Sequence, residues 1–158
     1  MSTTHCRWGI LGAAFIARKN WQAIRDAGNA TLVAVASRDL ARAQAFIDEC
    51  QAQVPHPAVP QAMDSYEALL ARTDIDAIYI PLPTGIRKEW VIRAAQAGKH
   101  VLVEKPIAST LEQADELASL AAAARAVATS PRTLQRRLPR EPDQPRVLQQ
   151  IGRASCRE

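Results

Sequence analysis

Cysteine is scarce in this chain and badly spaced for chemistry. Cys6, Cys50 and Cys156 are odd in number and form no C-x-x-C pair, which excludes a disulfide framework and a zinc site and leaves free thiols of a reducing compartment as the expectation. The first twenty residues lack a basic region ahead of an apolar stretch, and no run approaches the roughly 20 apolar residues of a membrane span. The sequence therefore reads as a cytoplasmic protein with no membrane partner. Basic excess is also missing where a core would lie. Residues 1–124 carry 12 Lys/Arg against 13 Asp/Glu, while residues 125–158 carry eight Arg against three acids, so the net charge of +4 belongs to the tail. That tail contains no aromatic residue on which a base could stack, which argues against a nucleic-acid partner.

Up to about Ala124 the chain alternates short apolar runs with helical stripes, the pattern of successive β-α units and a parallel sheet. Strands are predicted at Arg7–Leu11, Thr31–Ser37, Ala77–Ile80 and His100–Val103, with a weak edge strand over Val59–Met63 after the Pro-rich loop from Gln53. Helices are predicted over Phe15–Ala27, stopped by Gly28, and after Asp39, which caps a helix carrying Leu40, Ala43, Ile47 and Cys50. Asp64 and Glu67 have capping-box-like spacing for a short helix through Ala71. Thr84 is expected to cap a helix running to Ala97 with Gly98 closing it, and Thr110 and Gln113 to open one reaching Ala124. The resulting fold class is α/β, a three-layer Rossmann-type doubly wound parallel sheet over residues 5–124. Residues 125–158, with eight Arg and four Pro and no apolar period, are expected to hold no packed element. They read either as a basic interaction arm or as a non-native frame, Ile151–Ala154 looking like translated adapter sequence.

Four stretches carry chemistry. Gly12-Ala13-Ala14-Phe15-Ile16-Ala17 lies where the first strand turns into the first helix. Unpaired amides and the positive end of the helix dipole meet there, as a pyrophosphate requires. Gly12 and Ala17 hold the first and third positions of G-x-G-x-x-G/A, but Ala14 replaces the second glycine. Ser37-Arg38-Asp39 ends the second strand. An acid at that tip would bind ribose hydroxyls of NAD, whereas Ser37 beside Arg38, with Arg42 one turn on, suits the 2′-phosphate of NADP. An ordinary solvated arginine beside a helix cap is the competing reading, and Asp39 keeps NAD open. Pro81-Leu82-Pro83-Thr84 and Glu104-Lys105-Pro106 end the fourth and fifth strands, where open α/β sheets bind ligands. The prolines form a stiff wall for a nicotinamide without amides that need partners. Lys105 would bring an ammonium to the mouth of the crevice, although on spacing alone a lysine before proline is more often a surface residue.

With RWGILGAAFIA, VAVASRD, SYEALLARTDIDAIYIPLPTG, WVIRAAQAGKHVLVEKPIA and TLEQADELASLA in this order, residues 6–124 resemble the N-terminal domain of the glucose-fructose oxidoreductase, inositol dehydrogenase and rhizopine-catabolism family. The Ala97–Pro106 segment is the most specific part. The resemblance implies an NAD(P)-dependent oxidoreductase acting on a sugar, polyol or related CH-OH substrate, and a full-length protein that is a homo-oligomer. It assigns Gly12, Ala14 and Ala17 to the phosphate turn, Ser37 and Arg38 to the adenosine-ribose site, and Lys105 to contact with substrate and nicotinamide ribose, positioned by Glu104 and Pro106. Two departures stand out. The family's T-P-N-x-x-H pattern is here Leu82-Pro83-Thr84-Gly85-Ile86-Arg87, lacking the Asn and the His. The acid-base Asp and His of the C-terminal substrate domain have no counterpart, since that domain is missing from this sequence, and His5, His56 and His100 read as structural or solvated. The fragment alone is then expected to be catalytically incomplete, and a non-catalytic NAD(P)-binding or redox-sensing module is the alternative.

Overall fold

The computed structural model describes residues 5–106, together with Thr110, Glu112, Asp115, 127–128 and 147–149. The elements β1 (Cys6–Leu11), α1 (Ala17–Asp26), β2 (Ala30–Ala36), α2 (Leu40–Gln53), β3 (Gln61–Met63), α3 (Tyr66–Ala71), β4 (Ala77–Ile80), α4 (Thr84–Gln96) and β5 (His100–Val103) alternate along the chain. Two short strands follow, β6 (Val127–Ala128) and β7 (Val147–Gln149). All strand pairs are parallel, in the order β3-β2-β1-β4-β5-β7-β6. The order reverses between β1 and β4, which splays the following connections to opposite faces and opens a crevice outside the carboxyl ends of these two strands.

The strands are apolar on both faces because helices cover both. Trp8, Ile10, Tyr79 and Leu102 pack with Trp21 and Ile24 of α1 and Phe46 and Ile47 of α2. Ile78, Ile80, Val101 and Val103 pack on the other face with Leu69 and Leu70 of α3 and Val91 and Ala94 of α4. Strict alternation along β4 thus assigns neighbouring residues to separate cores. Gly9 serves the second face: a Cβ there would lie 3.0 Å from Ile78 Cδ1 and 3.1 Å from Leu69 Cδ2, so its absence lets α3 approach β1.

The amino-end rim of the sheet is tied by charge. Arg7 donates from Nε and Nη2 to the two carboxylate oxygens of Asp76 at 2.9 and 2.7 Å, holding that carboxyl below its ordinary pKa. Buried Lys99 donates to the carbonyls of Arg72 and Ile75 at 2.5 and 2.7 Å, beside the end of α3. Cys6 and Cys50 are free and buried, and burial pushes the Cys6 thiol up to about 12. Among the described residues no helix is long and apolar enough to cross a membrane.

Several boundaries differ from expectation. α1 begins at Ala17, with Phe15 and Ile16 forming a turn before it. Ser65, not Asp64, caps α3, since its extended backbone aims Oγ at the Ala68 amide 3.1 Å away. Thr84 is the first residue of α4 rather than its cap. Pro83, at ψ 145°, supplies the extended cap backbone and its carbonyl accepts from Ile86 and Arg87 at 3.2 and 3.1 Å. Beyond residue 125 the described residues are those of the short strands β6 and β7. The open edge of β5 is a template for pairing, and 147–149 is a run too short to register as periodic. The helix expected from Thr110 to Ala124 lies mostly outside the described residues, of which Glu112 and Asp115 are helical.

His56 is buried under α1, its Nε2–H donating to the Trp21 carbonyl at 3.1 Å and its ring packing edge-on against the Trp21 indole. Burial lowers its pKa from 6.5, the carbonyl opposing this. The unfolded chain therefore binds a proton more readily, and the stability this site confers is present above about pH 6.5 and lost as pH falls below it. Urea unfolding should show a lower midpoint at about pH 5.5 than at about pH 7.5, a window above the titration of Asp74 and Asp76, and His56→Gln should remove the difference. A midpoint unchanged or raised at the lower pH would contradict this.

Candidate dinucleotide site

At the end of β1 the Gly12 amide still donates to the Ala36 carbonyl of β2 at 2.8 Å, and the chain then departs with φ at 123°. An L side chain rarely adopts that conformation, and a Cβ at Gly12 would also meet Leu82 Cδ2 at 2.8 Å. The turn therefore needs glycine for its backbone and for the side chain seated over it. Ala14 donates to the Gly12 carbonyl at 3.0 Å, and α1 opens with three-residue bonds from Ala17, Arg18 and Lys19 to Ala14, Phe15 and Ile16 at 2.9, 3.2 and 3.3 Å. No hydrogen bond among the described residues engages the amides of Ala13, Phe15 and Ile16. α1 has no side-chain cap and no acid in its first turn, so its positive end faces outward uncompensated. Ala17 is fully buried against the sheet, filling the place where close helix–strand contact needs a small residue. Ala13 and Ala14 are half-buried, and Phe15, 80% exposed, stands out over the turn with the Arg18 guanidinium 4.8 Å from its ring centroid.

The tip of β2 gathers a second group. Ser37 is buried, its amide donating to the Met63 carbonyl at 3.0 Å, and Arg38, Asp39 and Arg42 are exposed beside it. Asp39 accepts from the Ala41 amide at 2.9 Å and so caps α2. Arg42 leans from α2 toward the phosphate turn, with Nη2 3.5 Å from the Ala13 carbonyl. Tyr66, which sequence reasoning did not single out, completes this corner. Burial pushes its hydroxyl pKa up, while the charges of Arg38 and Arg42 pull it down.

The third group lies across the switch point. Glu104, at the end of β5, accepts from the Tyr79 hydroxyl at 2.5 Å and from Asn20 Nδ2 at 3.5 Å. Burial and the neighbouring carboxylate together push the Tyr79 pKa up, keeping the phenol a donor. Glu104 thus joins β4, β5 and α1, and the residue that follows it, Lys105, is exposed just past the carboxyl end of β5. The peptide bond from Lys105 to Pro106 is cis, and Pro106 is exposed. Pro81 and Leu82 are buried, Pro83 exposed and Thr84 half-buried, so this loop forms one wall of the crevice. Arg87, also unanticipated, donates from Nε to the Leu82 carbonyl at 2.7 Å and from Nη1 to the carbonyls of Glu104 and Pro106 at 2.8 and 2.5 Å. The only advance sign of it was the departure from the T-P-N-x-x-H pattern, where arginine takes the place of histidine.

The three groups line up along the carboxyl ends of β2, β1, β4 and β5. Free amides beside a bare backbone suit a diphosphate, and guanidinium groups at one end suit a further phosphate. His5, His56 and His100 are elsewhere: His5 bonds to Thr31, His56 to Trp21, and His100 starts β5.

The family model described as the oxidoreductase family with an NAD-binding Rossmann fold matches residues 6–130. The chain is 42% identical over 118 residues to dTDP-3,4-didehydro-2,6-dideoxy-alpha-D-glucose 3-reductase of Saccharopolyspora spinosa, covering 73% of this chain and 32% of that protein. It is 45% identical over 113 residues to D-xylose 1-dehydrogenase (NADP(+)) 2 of Haloferax volcanii, covering 72% and 32%. A solved 3-ketoreductase from Actinomadura kijaniata in complex with NADP matches at a TM-score of 0.65 and 36% identity, over 75% of this chain and 36% of that one. The chain spans about a third of the length of the curated relatives it matches.

Gly12→Ala should destabilise the fold by about 1–3 kcal/mol, the cost of forcing a side chain into that backbone region. Denaturant titration measures it, and a midpoint equal to that of the unsubstituted chain would refute the stated need for glycine.

Proposed function

This chain belongs to the oxidoreductase family with an NAD-binding Rossmann fold, and from that premise we propose that it is the cofactor-binding part of an NADP-dependent enzyme acting on a sugar, polyol or related CH-OH substrate. The observation that carries the reading is the set of unengaged amides at Ala13, Phe15 and Ile16 after β1, with Arg38 and Arg42 following β2 on one side and Lys105 following β5 on the other side of the sheet order. Relatives support the same direction, since the Haloferax volcanii protein is named for NADP and the Actinomadura kijaniata enzyme was solved with it.

In this reading the Gly12–Ala17 turn binds the diphosphate through backbone N–H groups, and the α1 dipole adds to the attraction. Ser37, Arg38 and Arg42 hold the 2′-phosphate. One oxygen of the Asp39 carboxylate accepts from the Ala41 amide and so serves as the cap of α2. Pro81, Leu82, Pro83 and Thr84 with Glu104 and Pro106 wall the nicotinamide end. When bound, the cofactor supplies the hydride chemistry. Lys105 orients the substrate oxygen and offsets charge developing on it, while the groups that move the proton come from outside this chain.

Calorimetry on the 158-residue chain should show NADPH binding at least about tenfold tighter than NADH, the worth of a charge-assisted contact, with Arg38→Ala erasing the difference. Equal affinity, or tighter NADH, would overturn the NADP assignment.

A further inference from the structure

Arg87 belongs to the first turn of α4, where its amide donates to the Pro83 carbonyl at 3.1 Å, and its side chain turns back beneath the crevice and is 6% exposed. One guanidinium there bonds to three backbone carbonyls from two separate connections. Leu82 belongs to the wall after β4, and Glu104 and Pro106 stand on either side of Lys105 after β5. Leu82 in turn lies over Gly12, close enough that a Cβ on the glycine would meet its Cδ2 at 2.8 Å. The three contacts therefore link the phosphate turn, the proline-rich wall and the lysine-bearing loop through a single planar cation.

We propose that Arg87 is a positioning residue that sets the separation of the Leu82 wall from the Lys105 loop, and through it the fit of the nicotinamide half of the cofactor. The proposal rests on the cofactor reading above. Its physical basis is the fork of the guanidinium: Nε and Nη1 point to different loops at once, which neither an ammonium nor an amide reproduces. A purely structural brace would stabilise the whole sheet without favouring one half of the cofactor. The two differ because the β2 tip, which holds the adenosine end, lies on the opposite side of β1 from the β4 and β5 loops.

The test is a comparison of two ligands on the 158-residue chain, NADPH and adenosine 2′,5′-bisphosphate, which lacks the nicotinamide half. In Arg87→Gln, with the fold checked by circular dichroism, the Kd for NADPH should rise about tenfold while that for the bisphosphate stays within about twofold. Parallel weakening of both ligands, or unchanged NADPH binding, overturns the proposal. A measurement on the unsubstituted chain stands independently of how the variant folds. The Arg87 Nε–H resonance in a nitrogen-edited NMR spectrum should shift on NADPH saturation and hold still with the bisphosphate. A resonance unmoved by NADPH also overturns the proposal. Failure of the unsubstituted chain to take up NADPH would instead overturn the cofactor reading, so the two failures are distinct.

Discussion

The backbone of Gly12 leaves β1 in a conformation closed to ordinary side chains, and the rest of the crevice is arranged around that departure. With φ at 123° the chain rises from the sheet while its amide still completes the ladder to Ala36, so the next residues stand clear of any strand partner. Because α1 begins without a capping side chain, nothing in the described chain competes for the amides of Ala13, Phe15 and Ile16. A helix start of this kind is a cost to the isolated fold and an attraction for an anion, which is the usual compromise at a binding site.

Around the turn the chain uses side chains to hold loops rather than to reach a ligand. Glu104 joins Tyr79 and Asn20, Asp39 caps α2, and Arg87 ties Leu82 to Glu104 and Pro106. Each of these contacts fixes a backbone segment in place. Arg38, Arg42 and Lys105, which follow the carboxyl ends of β2 and β5, are exposed.

The strands were legible in the sequence because burial on both faces writes them as unbroken apolar runs. β4 and β5 fall at the expected residues, and the order of β-α units sufficed for the layered parallel sheet. Caps were harder to read where two candidates stood side by side: Ser65 rather than Asp64, and Pro83 rather than Thr84, were decided by which residue took the extended backbone. The turn that leaves β1 was visible from Gly12 and its small neighbours. The contacts of Arg87 were not, since two of its three carbonyl partners lie 17 and 19 positions away and only the folded chain brings them together. The short strands after residue 125 escaped for a different reason: pairing along an edge is a backbone property that composition hardly records.

The most direct test of the central claim is residue-resolved NMR of the backbone amides during a titration with NADPH. The account predicts that the Ala13, Phe15 and Ile16 amides undergo the largest shifts and become protected from exchange at saturation. Saturable binding that leaves those three amides unmoved would contradict it.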